Sequence, residues 1–587
     1  MNIKLTPALL DVGFYQSVHD YSLFTLKKGE GIVIVLVYVD DLLITGSNDQ
    51  LIDAAKQTLH QKFKLKDLGQ LKYFLGIEVL RSSAGVILNQ RKYILELIND
   101  TGISGAKPVP TPLESNLRLT SVEYDKVNSL TSDQLLHDIT GYQKLVGKLL
   151  YATITRPDIS YTVQTLSQFM QSPKKSHWDV ATRVVRFVTC VILLIFPVES
   201  LSRFKCVCKH WYALIKSPSF IEKHFHHKNN RSRLLVGNMK VSREGLTIVR
   251  SVVFSLLPEK IVPGVTPEQK ILLQLPRVSD FQCVAGPVDG LFVVQKKFYG
   301  DDARFGVWNP ATREFRSLPP APFEIEDYLS DHDHQSGLGF DLLTQDYKVV
   351  WIRVFWDEPG QGLYPHVYAC VYSSCNNSWK NLSPAFPSNC TLNAPLDATY
   401  LNGVYYWLSR GLDEIYRIRS FDMGSERFGE MQGPDIPSED WGALTLRGDS
   451  LAMLTGDPGK PMTSIYDLWI MEQEGSWSKV LTVQPSIDAH WPRNIWENDK
   501  MLFEINGTSQ LVLYDPTTSQ VTDLGFELDL SIAGCWAFNY KESLAPIKRG
   551  NETQRQDNAV EQIEQFFNTV PIDGELLLTV DDSDYSD

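Results

Sequence analysis

The chain has 587 residues, 43% of them apolar, 21% charged and 11% aromatic, and a net charge of −14. That length predicts two to four domains rather than one core, the composition excludes wholesale disorder, and the acidic balance argues against non-specific nucleic-acid binding. The most apolar runs, residues 32–39 and 188–196, fall far short of the ~20 residues a membrane-spanning helix needs, so no membrane contact is expected. No signal-peptide pattern follows Met1, and the eight cysteines are scattered, which predicts reduced thiols in a cytoplasmic or nuclear protein.

Residues 31–46 are two β-prone runs that meet at Tyr38-Val-Asp-Asp41. A hairpin here would place Asp40 and Asp41 together at its tip, where divalent cations could bind. Two acids in a tight turn are by themselves ordinary turn residues. Three further blocks follow: Leu68-Gly-Gln-Leu-Lys-Tyr-Phe-Leu-Gly-Ile-Glu-Val79, then Tyr142 to Tyr161 with its Thr-Arg-Pro-Asp-Ile-Ser, then Gln168-Phe-Met with His177-Trp178. In this order and spacing the four blocks resemble the reverse transcriptase of copia-type retrotransposons over residues 1–187. The resemblance implies a further catalytic Asp from a strand upstream of the hairpin. Asp11 and Asp20 precede it, but Asp20 sits in a segment matching a later block of that family. The expectation is a partial palm and thumb connection without activity, with Asp40 and Asp41 as a vestigial pair and no bound metal or cofactor. Pro108, Pro110 and Pro112 predict an extended linker.

From Pro197 to Ile215 the residues Leu201, Phe204, Val207, Cys208, Trp211 and Ile215 recur at steps of three and four, so helical structure would gather them on one face. Pro197 suits a first turn, and Glu199 sits where the helix dipole favours an anion. Cys206, Cys208, His224, His226 and His227 do not make a zinc site, because a Cys-x-Cys pair in a helix points its sulfurs apart. The neighbouring lysines and arginines read as a solvated face. The stretch Cys-Val-Cys-Lys-His-Trp-Tyr, followed by Ser217-Pro-Ser-Phe-Ile, resembles the second half of an F-box, over residues 188–233. That resemblance implies a face of Pro197, Leu201, Phe204, Val207, Cys208 and Trp211 that docks onto a Skp-type adaptor, and through it a cullin. The usual Leu-Pro-acid start of the first helix is replaced by Val184-Val-Arg-Phe187, which could still be helical.

Residues 234–279 read as a linker and first strands. Residues 280–542 change to short strands separated by turn residues. Phe305-Gly-Val-Trp-Asn-Pro-Ala-Thr is echoed by Leu511-Val-Leu-Tyr-Asp-Pro-Thr-Thr, and Asp289-Gly-Leu-Phe-Val-Val by Asn402-Gly-Val-Tyr-Tyr-Trp. At about 50 residues per repeat, these echoes predict five or six propeller blades, with Trp308, Trp379, Trp407 and Trp477 in the cores between them. Residues 543–587 read as a polar, acidic, disordered tail. The region resembles the kelch-like F-box-associated domain of plant F-box proteins, most closely the S-locus F-box group. Pro320 to Gln335 is taken as a variable loop whose Glu324, Glu326, Asp327, Asp331 and Asp333 would suit a basic target; the resemblance implies a ribonuclease of the S-RNase type.

The expected fold is multidomain: an α+β polymerase palm fragment, a short all-α F-box and an all-β propeller. The expected function is that of a non-enzymatic substrate receptor of an SCF-type ubiquitin ligase, with no catalytic residue. The alternatives are a reverse-transcriptase remnant, or a propeller that binds a target behind a non-functional F-box.

Overall fold

The computed structural model describes residues 2–547, except 40, 64, 83–84, 102–108, 110, 130–132, 245–246, 263–264, 276–280, 297–303, 323–328, 358–365, 383–389, 393–397, 412–415, 438–440, 457–463, 486, 490–491, 506–509 and 528–534. The chain divides into two compact units, residues 1–192 and 193–587. Pro108 and Pro110 of the expected linker, and nearly all of the expected tail, lie outside the described residues.

The first unit is α+β. Strands Leu23–Lys28, Gly31–Tyr38 and Asp41–Gly46 form consecutive hairpins of a four-stranded antiparallel sheet. Its apolar alternation puts Phe24, Val33, Val35 and Val37 on one face, where they meet Ala55 and Leu59 of helix Asp49–Lys62. That helix starts at Asn48, whose side chain accepts the Gln50 N–H at 2.7 Å. A second sheet, Tyr73–Phe74, Ile77–Ser82 and Gly85–Asn89, precedes a helical region. There Lys174, 3% exposed, is held by Asp125 and Asp133. Residues 184–187 do prove helical: they lie inside one helix, Lys175–Leu194.

The second unit opens with three short helices, Val198–Phe204, Lys209–Ile215 and Pro218–Phe225, and continues as β-sheet. Among the described residues of this unit there are six antiparallel sheets of four or five strands. Five are blades continuous in sequence, at 281–317, 329–382, 390–432, 441–483 and 494–527. The sixth combines Arg233–Glu244, Thr247–Leu256 and Lys270–Leu275 with the last strand, Cys535–Tyr540. Residues 233–275 are therefore three strands of a closing blade. The first strands of the five blades contact one another in sequence, and Cys535–Tyr540 touches both the fifth and the first, so it is the innermost strand of the sixth. The ring is closed by backbone hydrogen bonds between the two ends of the domain.

Clusters of aromatic and branched side chains fill the gaps between blades, with Trp308, Trp351 and Trp407 each at most 2% exposed. Trp379 and Trp477, half-buried, pack at the edges of two such clusters. The echoed Asp289-Gly290 and Asn402-Gly403 pairs are two-residue turns with φ of 49° and 76°, and 48° and 89°. Asn309 Oδ1 accepts the N–H groups of Ala311 and Thr312, and Asp515 Oδ1 accepts that of Thr517. The same turn occurs at Asp341, which accepts from Leu343 and Thr344.

Candidate adaptor- and target-binding surfaces

The F-box stretch is two helices rather than one. Cys208 is extended (φ −160°, ψ 162°) and caps the second helix, its Sγ accepting the Trp211 N–H at 3.4 Å. A non-helical residue at this point breaks the expected single face. Leu201 and Trp211, 0% and 7% exposed, turn into the unit, and Phe204 is wedged edge-on between Phe196 at 4.9 Å and Trp211 at 5.4 Å. Of the six residues expected to form one docking face, Pro197 and Val207 are exposed, Phe204 and Cys208 are half-buried, and Leu201 and Trp211 are buried. Tyr212, 45% exposed, lies beside Lys216, whose Nζ donates to its hydroxyl at 2.6 Å. Sequence reading did not single out Tyr212, which stands four residues on from the helix cap at Cys208.

The F-box is tied to the propeller. His224 Nε2 bonds the Phe196 carbonyl oxygen at 2.8 Å, and burial pushes the imidazole pKa down. Asn230 Nδ2 donates to the Glu542 carbonyl at 2.8 Å, and Arg233 pairs with the Glu542 carboxylate. Glu199 meets Arg203 and Lys270. Burial also lowers the Lys205 pKa, opposed by the charge of Glu314. Residues 541–547, of which 543–547 belong to the expected polar tail, cross the turns of the first blade. Asn309 Nδ2 donates to the carbonyls of Ser543 and Ala545 at 3.1 and 3.0 Å, and Leu544, Ala545 and Ile547 are buried.

Strand direction sorts the connections of the propeller onto two faces. The F-box enters the propeller at Arg233, paired with Tyr540 at the end of the innermost strand. In the other blades, the end of the first strand is where the short turns at 289–290, 342–345 and 402–403 lie, together with the turns between third and fourth strands. The second-to-third-strand connections, 297–303, 358–365, 412–415, 457–465 and 505–509, join the opposite ends of the strands, as do the links between blades, and all but 412–415 are longer than those turns. Short, side-chain-capped turns and the F-box therefore share one face, and the longer connections share the other.

The acidic candidates divide. Glu324, Glu326 and Asp327 lie outside the described residues. Asp331 and Asp333 are not in a loop: they belong to strand Leu329–Asp341, opposite Phe355 and Val354, with a register shift between them. Backbone pairing with strand 346–357 runs back to Leu329, further than the acids led sequence reading to expect.

In the first unit, Asp41 opens its strand as the partner of Tyr38 and is exposed. Asp40 lies outside the described residues; Val39 before it has φ of 51°, strained for a β-branched residue. Asp20 accepts from the N–H and hydroxyl of Ser22, and Asp11 lies 3.6 Å from Lys62. Among the described residues no three His, Cys, Asp or Glu side chains gather as a metal site, and no helix is long and apolar enough to cross a membrane.

Three family profiles match in succession: reverse transcriptase (RNA-dependent DNA polymerase) over residues 1–115, F-box domain over 188–223, and F-box associated beta propeller domain over 249–527. The chain joins a reverse-transcriptase fragment, a short helical F-box and an all-β propeller. The retrovirus-related Pol polyprotein from transposon RE1 of Arabidopsis thaliana is 45% identical over 186 residues, 32% of this chain. The chain spans only 12% of that polyprotein's length. An F-box/kelch-repeat protein of Arabidopsis thaliana is 27% identical over 356 residues, 59% of this chain and 90% of its own. The propeller of Dos1 covers 48% of this chain and 68% of its own at 11% identity, with a TM-score of 0.24, too loose a fit to carry an argument.

Proposed function

We propose that the chain is a target receptor of an SCF-type ubiquitin ligase. Its F-box holds a Skp-type adaptor, and through it a cullin, while the propeller holds the protein to be ubiquitinated. The observation that carries this reading is the division of faces: the F-box sits with the short turns, opposite the face from which the longer connections leave. Such a receptor needs no catalytic residue, cofactor or metal, because its contribution is to bring a target near a charged conjugating enzyme. The exposed adaptor contacts are Pro197, Val207 and Tyr212, with Phe204 and Trp211 shaping the surface from behind.

The finer reading, a basic target of the S-RNase type, rests on the family resemblance and on the acids between 324 and 333 alone. The first unit reads as a retrotransposon remnant without polymerase function, since it matches reverse transcriptase only as a fragment. Reconstitution of the full chain with adaptor, cullin and conjugating enzyme tests the proposal. Ubiquitin transfer to a captured target is expected; adaptor binding without transfer to any captured protein would leave only a binding propeller.

A further inference from the structure

A sheet edge accepts a strand from another chain unless something spoils the pairing. In the propeller, the outermost strand of each blade carries an exposed charged side chain: Lys270, Glu314, Lys380, Arg427, Lys479 and Asp523. The smaller sheet of the first unit ends differently. Its outermost strand, Gly85-Val-Ile-Leu-Asn89, carries no charge, and among the described residues no strand lies along its outer edge. Val86, Ile87 and Leu88 are 55%, 63% and 51% exposed, so the strand shows apolar side chains on both faces.

The register of this sheet narrows what fits there. Ile87 stands opposite Leu80, itself 54% exposed, so the two share one face. The occupant is an extended, uncharged strand with an apolar residue opposite each of 86, 87 and 88. The strand itself meets that description read backwards. Turned antiparallel about Ile87, a second copy sets Leu88 against Val86 and Ile87 against Ile87. The twofold pair opposes no like charges, and it joins two three-stranded sheets so that Leu80, Ile87, Ile87 and Leu80 form one apolar row. Five residues cover far less than the ~800 Å² per partner of a stable interface, which makes the pairing weak.

We propose that strand Gly85–Asn89 is a self-association edge that joins two copies of the chain, antiparallel and centred on Ile87. The dimer has a dissociation constant of roughly 10–100 μM. Each copy carries a net charge of −14, so the dimer tightens as salt screens their repulsion. The pairing is independent of the ligase reading, because it needs neither adaptor nor target.

Sedimentation equilibrium of the full chain across and above that concentration range tests it, with hydrogen exchange of the 86–88 amides read alongside. A monomer–dimer equilibrium is expected, with protection of those amides rising as the dimer forms. Ile87→Lys sets two like charges opposite each other and should weaken the dimer about thirtyfold or more, while the melting temperature stays put. Ile87→Glu should do the same, and the milder Ile87→Thr, which keeps strand propensity, should weaken it several-fold. Mixed together, the Lys and Glu variants should recover a dimer, because a twofold pair centred on residue 87 brings Lys against Glu. Val480→Lys, on the outermost strand of the fourth blade, should change nothing. A chain that stays monomeric throughout overturns the proposal, as does a dimer indifferent to Ile87→Lys or a mixture of folded variants that fails to pair. Protection of 86–88 in the monomer also overturns it, since the occupant is then a segment of the same chain.

Discussion

Trp211 shows how a side chain can matter to an interface without standing in it. At 7% exposure and packed edge-on against Phe204, it holds the two F-box helices together. Trp211→Ala should cost about 3–5 kcal/mol of local stability, as large-to-small core changes do. Adaptor capture should be lost together with the thermal unfolding signature of the F-box. Val207→Asp and Tyr212→Ala alter exposed groups, so the melting temperature should stay put while adaptor affinity falls some thirtyfold, the equivalent of about 2 kcal/mol. If all three variants melt alike and bind alike, the surface lies elsewhere. Asp341 offers a pH handle. Burial pushes its carboxyl up, but the Thr344 hydroxyl, the Lys348 ammonium and two backbone N–H groups outweigh that and hold it at about 2. A depressed carboxyl contributes stability that is complete above pH ~4 and lost as pH falls through its folded value. Acid titration of urea unfolding should show this loss between about pH 4 and 2, and Asp341→Asn should flatten it.

At the scale of elements, the sequence was most legible where a turn has its own chemistry. Asp289-Gly290, Asn402-Gly403 and the Asn309 and Asp515 turns stand where their residues placed them, because positive φ and side-chain caps are local requirements. The apolar period of the F-box was legible as helix but not as two helices. The break at Cys208 depends on a thiol cap and on Phe204 filling the gap between Phe196 and Trp211, which spacing does not encode. Strand Leu329–Asp341 was hidden because its first half is polar and pairs with an apolar partner 346–357. The strap at 541–547 escaped for a similar reason: its anchor, Asn309, is over 230 residues away in sequence. Its fit is close. A Cβ on Gly290 would come within 2.6 Å of Ser543 Cβ and 2.7 Å of the Lys541 oxygen, at a φ of 76°. Gly290→Ala should therefore destabilise the propeller by about 1–3 kcal/mol and open the chain after Tyr540 to protease. Unchanged stability and cleavage would show that the strap is not held there.

Over the whole molecule, the decisive feature was the least visible in advance. Residues 233–275 and 535–540 are nearly 260 residues apart and become one blade, so the F-box and the strap emerge together on the short-turn face. The retrotransposon-like unit adds a separate expectation: primer extension by the full chain with magnesium or manganese should yield no template-dependent product. Synthesis abolished by Asp41→Asn would contradict that. The most direct measurement of the central claim is the affinity of the purified full chain for a Skp-type adaptor, measured by titration calorimetry. The account predicts a one-to-one complex that Val207→Asp with Tyr212→Asp abolishes while the propeller stays folded. Absence of a complex with the unsubstituted chain, or a complex indifferent to those two residues, would contradict it.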